Sequence, residues 1–340
     1  MLPSTLSSVV LLITKALDAE GLDSKEILKR AGLDPAHLND PNARYSYPAV
    51  THLWKMAGKV SGDPCFGLKA ASYWHPTTLH ALGYSWLASD TLEDALQRAA
   101  RYIRLVNTAA NAVFEETDLG YMFRISIDKS VRNVVQPANE AIDAGVALIL
   151  DMCRSCYGSD LNPIRIEVRR PKPDKCAKIF EELFRAPIYY EYPENAIYFD
   201  KADISQRLPT GNAELARSNE KIIVDYLARL DKNNITTQVK SKLLDLLPSG
   251  HATEDAVIQA LHMSQRTLQR KLKEEGTTFK ELLDETRQEL AKEYVNDTSL
   301  SFSEITYLLG FSEQSNFTRA FKRWQGQSPS AYRNQMRMTG

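Results

Sequence analysis

Two stretches near the end of the chain restate one another, and that repetition constrains the fold more than any other feature. MSQRTLQRKLKEEGTTF (263–279) and FSEQSNFTRAFKRWQGQSP (311–329) set Leu268, Arg270, Leu272 and Lys273 against Phe317, Arg319, Phe321 and Lys322, each 49 positions later. Each stretch follows a short amphipathic run, TEDAVIQALH or SFSEITYLL, that opens on a Thr or Ser cap. Between run and repeat lies a turn bearing an apolar residue and a serine, Met263-Ser264 and Phe311-Ser312. The pattern predicts a helix-turn-helix, twice. FKELLDETRQELAKEYV, between the two, reads as one continuous helix of about 25 Å. Such a strut would hold the two second helices roughly 34 Å apart, one turn of duplex.

The outward faces of the repeated helices carry the chemistry. In 264–273, Leu268 and Leu272 form a narrow apolar strip, and the four basic residues of the segment are accompanied by no acidic one. Arginine bridges two acceptors on a guanine edge, glutamine pairs with adenine, and lysine or serine holds phosphate, so such a helix fits a major groove. A solvated basic face would account for one such helix; two copies on a rigid strut favour DNA. Bulk charge does not point there. The net charge is −1, and from residue 235 onward 14 Lys plus Arg stand against 13 Asp plus Glu. The nucleic-acid argument rests on where the charges sit.

EITYLLGFSEQSNFTRAFKRWQGQSPSAYR (304–333), with its Gly-Phe turn, its Phe-x-Arg-x-Phe-Lys helix and its closing Gly-x-x-Pro-x-x-Tyr-Arg, resembles the signature of the AraC/XylS transcription regulators. LHMSQRTLQRKLKEEGTTF resembles the upstream helix-turn-helix of the same family, so the likeness covers residues 235–335 or so. The resemblance implies base-facing roles for Arg266, Gln269 and Arg270 in the first recognition helix and for Gln314, Ser315, Thr318 and Arg319 in the second. Lys273 and Lys322 fit phosphate better. Gln265 stands where many relatives have proline, and Thr306 where alanine is usual; neither should remove a helix. Glu313 suits the positive end of its helix but would repel phosphate, or could accept from a cytosine amino group.

With 340 residues the chain has room for two domains, and 43% hydrophobic with 25% charged residues is the make-up of a soluble globular protein. Residues 4–110 read mostly as helices, among them TLEDALQRAARYIRLV with a cap at Thr91. Ala112–Thr117 and Tyr121–Ile127, joined by Asp118-Leu119-Gly120, read as a hairpin. A helix from about Pro137 to Tyr157 follows, then a strand over 162–171, a short helix over 174–184, and extended runs in APIYYEY and AIYFD. The expected organisation is an α+β N-terminal domain over 1–205, helices plus a small antiparallel sheet, then a linker helix region over 206–234. An all-α DNA-binding domain with two helix-turn-helix motifs is expected over 235–340.

The first 200 residues resemble the N-terminal half of ornithine-utilisation-type regulators and not the sugar-binding barrel of the arabinose regulator, which implies an effector-binding domain of unspecified ligand. SYWHPTTLHALGYSW supplies a dense polar-aromatic cluster, Tyr73, Trp74, His75, His80, Tyr84 and Trp86, which with Trp54 and Tyr102 forms a candidate pocket wall. A tryptophan-rich core with satisfied histidines would use the same residues. The order of helices, hairpin, helix and strand also resembles the haem-nitric-oxide-binding fold. RAARYIRLV, where the iron ligand would stand, has no histidine, so no haem and no other cofactor is expected.

Cys153 and Cys156 form a CxxC at the tail of a predicted helix, the wrong end for redox activation, and a zinc site would lack a fourth ligand, so a structural role is favoured. Four cysteines without framework spacing suit a reducing cytoplasm. No paired carboxylates near histidine, nucleophile elbow or phosphate loop is found, which argues against an enzyme. The run Val9–Ile13 is too short and lacks the basic flank of a signal peptide, and AGVALIL (144–150) is far short of a membrane span. The reading is therefore a cytoplasmic, ligand-controlled transcription regulator, an activator by preference. Its partners are double-stranded DNA, a small-molecule effector, RNA polymerase and a possible second copy as homodimer. The alternative is a constitutive DNA binder whose first domain only dimerises.

Overall fold

The computed structural model describes residues 3–128, 135–231 and 234–339, and the chain divides within one helix into two units, Met1–Asn219 and Glu220–Gly340. The first unit runs β1 (Ser4–Leu6), α1 (Ser7–Ala19), α2 (Ser24–Arg30), β2 (Arg44–Ser46), α3 (Tyr47–Ser61), α4 (Phe66–Ala71), α5 (Ala81–Leu87) and α6 (Leu92–Val106). It continues with β3 (Ala110–Thr117), β4 (Gly120–Ile127), α7 (Asn139–Tyr157), β5 (Arg165–Glu167), α8 (Ala177–Phe184), β6 (Ile188–Tyr189), β7 (Asn195–Phe199) and α9 (Lys201–Ser205). The helix at the division is α10 (Ala213–Leu230). Thr91 caps α6 by accepting from Asp94 N at 3.0 Å, and the stripe Leu92, Ala95, Leu96, Ala99 turns inward as its spacing requires.

Five strands form one sheet in the order β3-β4-β7-β5-β6, antiparallel except for the last pair. The predicted hairpin is β3-β4. Its turn ends on Gly120, whose φ of +129° and whose missing Cβ, which would lie 2.3 Å from the Phe199 carbonyl, leave no room for another residue. Three details differ from the sequence expectation. A two-stranded ribbon, β1 against β2, lies in a region read as helical. The strand read over 162–171 shrinks to Arg165–Glu167, bracketed by Pro163 and Pro171, which cannot donate to a ladder. APIYYEY contributes only Ile188–Tyr189, and that pairs parallel with β5.

Helix α7 is buried nearly all round, with Ala144, Ala147, Leu150, Met152 and Cys153 at the centre of the first core. Helix α4 reaches it closely because residue 67 has no side chain: a Cβ there would sit 2.3 Å from the Glu140 carbonyl. Asp143 of α7 is ion-paired with Arg170, whose guanidinium lies 5.3 Å from the Phe180 ring. Burial pushes the Asp143 carboxyl up to about 7 despite the opposing pull of Arg170. Cys65 and Cys176, at the starts of α4 and α8, are joined in a disulfide with Cα atoms 6.1 Å apart, 111 positions from each other in the sequence. The cysteine spacing had given no framework; packing of two helix starts against each other creates the pair.

The second unit is helical: α11 (Ile235–Leu246), α12 (Glu254–Ala260), α13 (Gln265–Glu274), α14 (Phe279–Asn296), α15 (Phe302–Leu308), α16 (Gln314–Gln325) and α17 (Pro329–Thr339). Six of these helices begin on a side-chain cap, α17 through Ser328, which accepts from Ala331 N at 3.2 Å. Asn234, Thr253, Ser264, Thr278 and Ser301 each accept from the backbone N–H three residues on, at 2.8–3.2 Å. Two small cores result. One gathers Val239, Leu243, Val257, Leu268, Leu272 and Leu282; the other gathers Val295, Ile305, Leu309, Phe317, Phe321 and Tyr332. Helix α14 supplies both, and Leu290 packs against each.

Charged side chains then lock helix ends to that strut. Arg287 donates to the Leu309 and Gly310 carbonyls at 2.9 and 2.8 Å, with its guanidinium 4.5 Å from the Phe311 ring, and so fixes the turn of the second helix-turn-helix. Arg333 donates to Val295 O and Leu300 O at 2.8 and 2.9 Å, closing the far end of α14. Glu275 accepts from the backbone N–H groups of Ile235 and Thr236 at 2.9 and 3.0 Å and anchors the start of α11.

Two stability changes are expected. Gly67→Ala forces α4 off α7 and should lower stability by about 1–3 kcal/mol, read as a reduced urea midpoint. Arg287→Met leaves two partly buried carbonyls without their donor and should cost the helical second unit about 1.5–3 kcal/mol; circular dichroism during urea unfolding measures it.

Candidate nucleic-acid interface and ligand cavity

Helix α13 buries only Leu268 and Leu272, at 0% and 1% exposure, which turns its remaining surface outward. Arg266, Gln269, Arg270 and Lys273 are all exposed. In α16 the equivalent anchors are Phe317 and Phe321; Gln314, Ser315, Arg319 and Lys322 are exposed and Thr318 is half-buried. Each helix therefore presents one polar face made of the residues singled out by sequence, mainly basic in α13 and with Arg319 and Lys322 as its basic members in α16.

Several of these side chains rest on neighbours. Arg270 pairs with Glu274 at 2.6 Å and Gln269 donates to Glu254 at 3.1 Å. In α16 Arg319 donates to Asn316 Oδ1 at 2.6 Å, and Ser315 to Glu313 at 3.1 Å. These exposed contacts are weak enough to be exchanged for a nucleic-acid partner. Glu313 stands at the N-cap of α16 without making a side-chain cap, as its position at the positive helix end allows. Arg323 and Trp324 both reach Asp284 of α14, at 2.5 and 3.0 Å, which fixes the rotation of α16 about its axis.

The first unit holds a partly open cavity of about 770 Å³ between its helices and the sheet. That size lies within the range of small-molecule sites, roughly 300–1,000 Å³. One wall is α3, where Tyr47, Val50, Thr51 and Trp54 recur on one face; another is α7, through Ile142, Val146 and Ile149; Phe123 and Ile125 of β4 form the floor. Thr5 and Asn107, joined by an antiparallel bridge, lie at one end. Arg169, Gln136 and Asn195 lie at another, with the Arg169 guanidinium donating to Gln136 at 3.0 Å. Burial raises the pKa of the Tyr47 hydroxyl, an effect eased by the Thr51 hydroxyl beside it.

Of the polar-aromatic candidates, Trp54 and Trp86 line this cavity. The lining does not include Tyr73, Trp74, His75, His80, Tyr84 or Tyr102. Tyr73 and Trp74 pack on the outside of the core; His75 caps a 3-10 turn by accepting from Thr77 N; His80 holds a left-handed φ of 56° at the start of α5; Tyr84 is exposed; Tyr102 is buried in α6. The dense sequence cluster is thus split between core, cap and surface by the turn 76–79. The residues missed, Thr5, Tyr47, Asn107 and Arg169, come from separate elements. Only the Tyr47-Thr51-Trp54 spacing on α3 carried a local trace of them.

Cys153 and Cys156 are free and buried in α7. Burial pushes the Cys156 thiol up to about 11 and the Cys153 thiol well above its ordinary value, so neither supplies a thiolate at neutral pH. Among the described residues no group of His, Cys, Asp and Glu is placed to hold a metal, and no helix is long and apolar enough to cross a membrane.

Comparison with known proteins assigns the two units. Residues 21–208 match the family described as the arabinose-binding domain of AraC transcription regulator, N-terminal, and residues 257–335 match a helix-turn-helix domain. The first match falls on the region set apart in sequence from the arabinose regulator's sugar-binding barrel; it places this region in that domain family all the same. The chain is 41% identical over 313 residues to the transcriptional regulator VirS of Mycobacterium tuberculosis, covering 92% of this chain and 91% of that one. It is 28% identical over 322 residues to the ornithine utilization regulator of Pseudomonas aeruginosa, covering 92% and 91%. The crystal structure of the transcriptional regulator CdpR from Pseudomonas aeruginosa aligns over 91% of this chain and 96% of its own, at 19% identity and a TM-score of 0.47. With paired recognition helices on a common strut and full-length kinship to such regulators, the chain belongs to the AraC family and is a DNA-binding transcription regulator.

Proposed function

We propose that this regulator is an activator controlled by a small-molecule effector held in the cavity of its first unit. The observation that carries the reading is the separation of tasks on one chain: a partly open cavity in the first unit and two outward polar helices in the second. Kinship to a protein named an ornithine utilization regulator supports control by a metabolite. Occupancy of the cavity shifts DNA binding because the effector favours one arrangement of the chain over another. Two unlike reading helices give the protein a direction on its site, which suits an activator that presents one surface to RNA polymerase. A homodimer would add a second pair of reading helices. Its target, double-stranded DNA, places its work in the cytoplasm.

Arg266, Gln269 and Arg270 read one major-groove segment; Gln314, Ser315, Thr318 and Arg319 read the next; Lys273 and Lys322 hold phosphate. Selection of genomic DNA fragments by the purified protein, with and without a metabolite pool at fixed salt, tests the whole reading. Sites with two half-elements about one turn apart, altered in occupancy by the pool, are expected; sites indifferent to every pool would mark a constitutive binder. Arg270→Ala or Arg319→Ala should cost about 1–3 kcal/mol and relax base preference at one position, whereas Lys273→Ala should weaken all sequences alike and lower the salt slope by about one. Quantitative DNA titrations at several salt concentrations separate these, and unchanged specific binding by Arg270→Ala would remove the first helix from the base-reading set.

A further inference from the structure

We infer that the effector is a lipophilic carboxylic acid, a mainly hydrocarbon body with one acidic head, and not a sugar or a free amino acid. This inference rests on the effector reading above. Most of the lining is hydrocarbon, with Val9, Leu82, Ile103, Phe123, Val146 and Ile149 contributed by five elements. A polyol or zwitterion placed against that surface would lose hydration at most of its polar atoms without replacement hydrogen bonds. An alkyl body would instead gain burial with each carbon.

The polar groups of the lining specify the head. Thr5 and Tyr47 are 4% and 5% exposed, and neither the Thr5 hydroxyl nor, with Thr51 beside it, the Tyr47 hydroxyl makes a well-formed hydrogen bond within the chain. Buried hydroxyls of this kind are ordinarily satisfied, so these two point to a group supplied from outside. At the mouth Arg169 makes one hydrogen bond to the neutral Gln136 and is in no ion pair among the described residues. The acidic residues of the lining are engaged: Glu194 pairs with Arg124 at 2.5 Å, and Asp128 has its own partner in the chain. Among the described residues of the lining the available charge is therefore positive, which matches a carboxylate and disfavours an ammonium.

The test titrates full-length protein with n-alkanoates of increasing length, the matching 1-alkanols, L-ornithine and L-arabinose, following heat and the fluorescence of Trp54 and Trp86. DNA occupancy is measured on the same samples. Alkanoate affinity is expected to rise about fourfold per methylene until the cavity is full, and to exceed that of the alkanol of equal length. Thr5→Val, which keeps shape and removes the hydroxyl, should weaken the best alkanoate about fivefold if the head lies at that end, whereas at the mouth Arg169→Gln should weaken it about two- to fivefold. Arg169 is exposed, so its variant leaves the core untouched, and loss in either variant supports the head assignment. Affinity flat with chain length, parity of acid and alcohol, or no loss in either variant overturns the inference. Tighter binding of ornithine or arabinose with altered DNA occupancy overturns the ligand class while effector control stands. Alkanoate binding without any change in DNA occupancy keeps the ligand class and removes effector control.

Discussion

A ten-residue helix with two apolar side chains cannot persist in water alone, and the DNA surface of this protein depends on how that deficit is met. Helix α13 offers Leu268 and Leu272, and α16 offers Phe317, Ala320 and Phe321. Isolated helices of this length are marginal because nucleation is unfavourable, so burial against a neighbour has to hold them. Helix α14 provides it at both ends, with Leu282 in one small core and Val295 in the other. Almost all of each recognition helix is consequently free to be polar. The same economy explains the clamps: Arg287, Arg333 and Glu275 satisfy carbonyls and N–H groups at helix ends that such small cores cannot cover.

The first unit solves a different problem. Its sheet and helices bury a large core, yet they leave a space of about 770 Å³ that side chains do not fill. Interiors ordinarily pack without such voids, because each unfilled volume forfeits dispersion contacts. The Thr5 and Tyr47 hydroxyls in the cavity lining add polar groups without a well-formed partner within the chain. A molecule of matching shape and polarity would restore those contacts, which is how the proposed effector would gain leverage over the state of the unit.

Legibility differed between the units for physical reasons. The recognition helices, their caps and the strut are local: Ser264, Thr278 and Ser301 act on backbone groups three residues away, and the apolar spacing of Leu268, Leu272, Phe317 and Phe321 shows directly in the chain. The β3-β4 hairpin was readable because Gly120 sits in its turn. The aromatic run 73–86 misled where it was read as one wall, since the turn at 76–79 and the positive φ of His80 send neighbouring side chains to different surfaces. Trp86 faces the cavity and Tyr84, two residues away, faces solvent, as expected on a helix where such residues do not share a face.

By itself the sequence determined the two helix-turn-helix repeats, the residues on their outward faces and the α+β character of the first unit, because each depends on periodicity or capping within a few residues. Tertiary structure alone decided the cavity, the parallel β5-β6 pair and the joining of Cys65 to Cys176. These bring together groups such as Thr5, Asn107 and Arg169 from distant parts of the chain. No local spacing encodes their meeting, which exists only once α7 and the sheet have closed around a shared core.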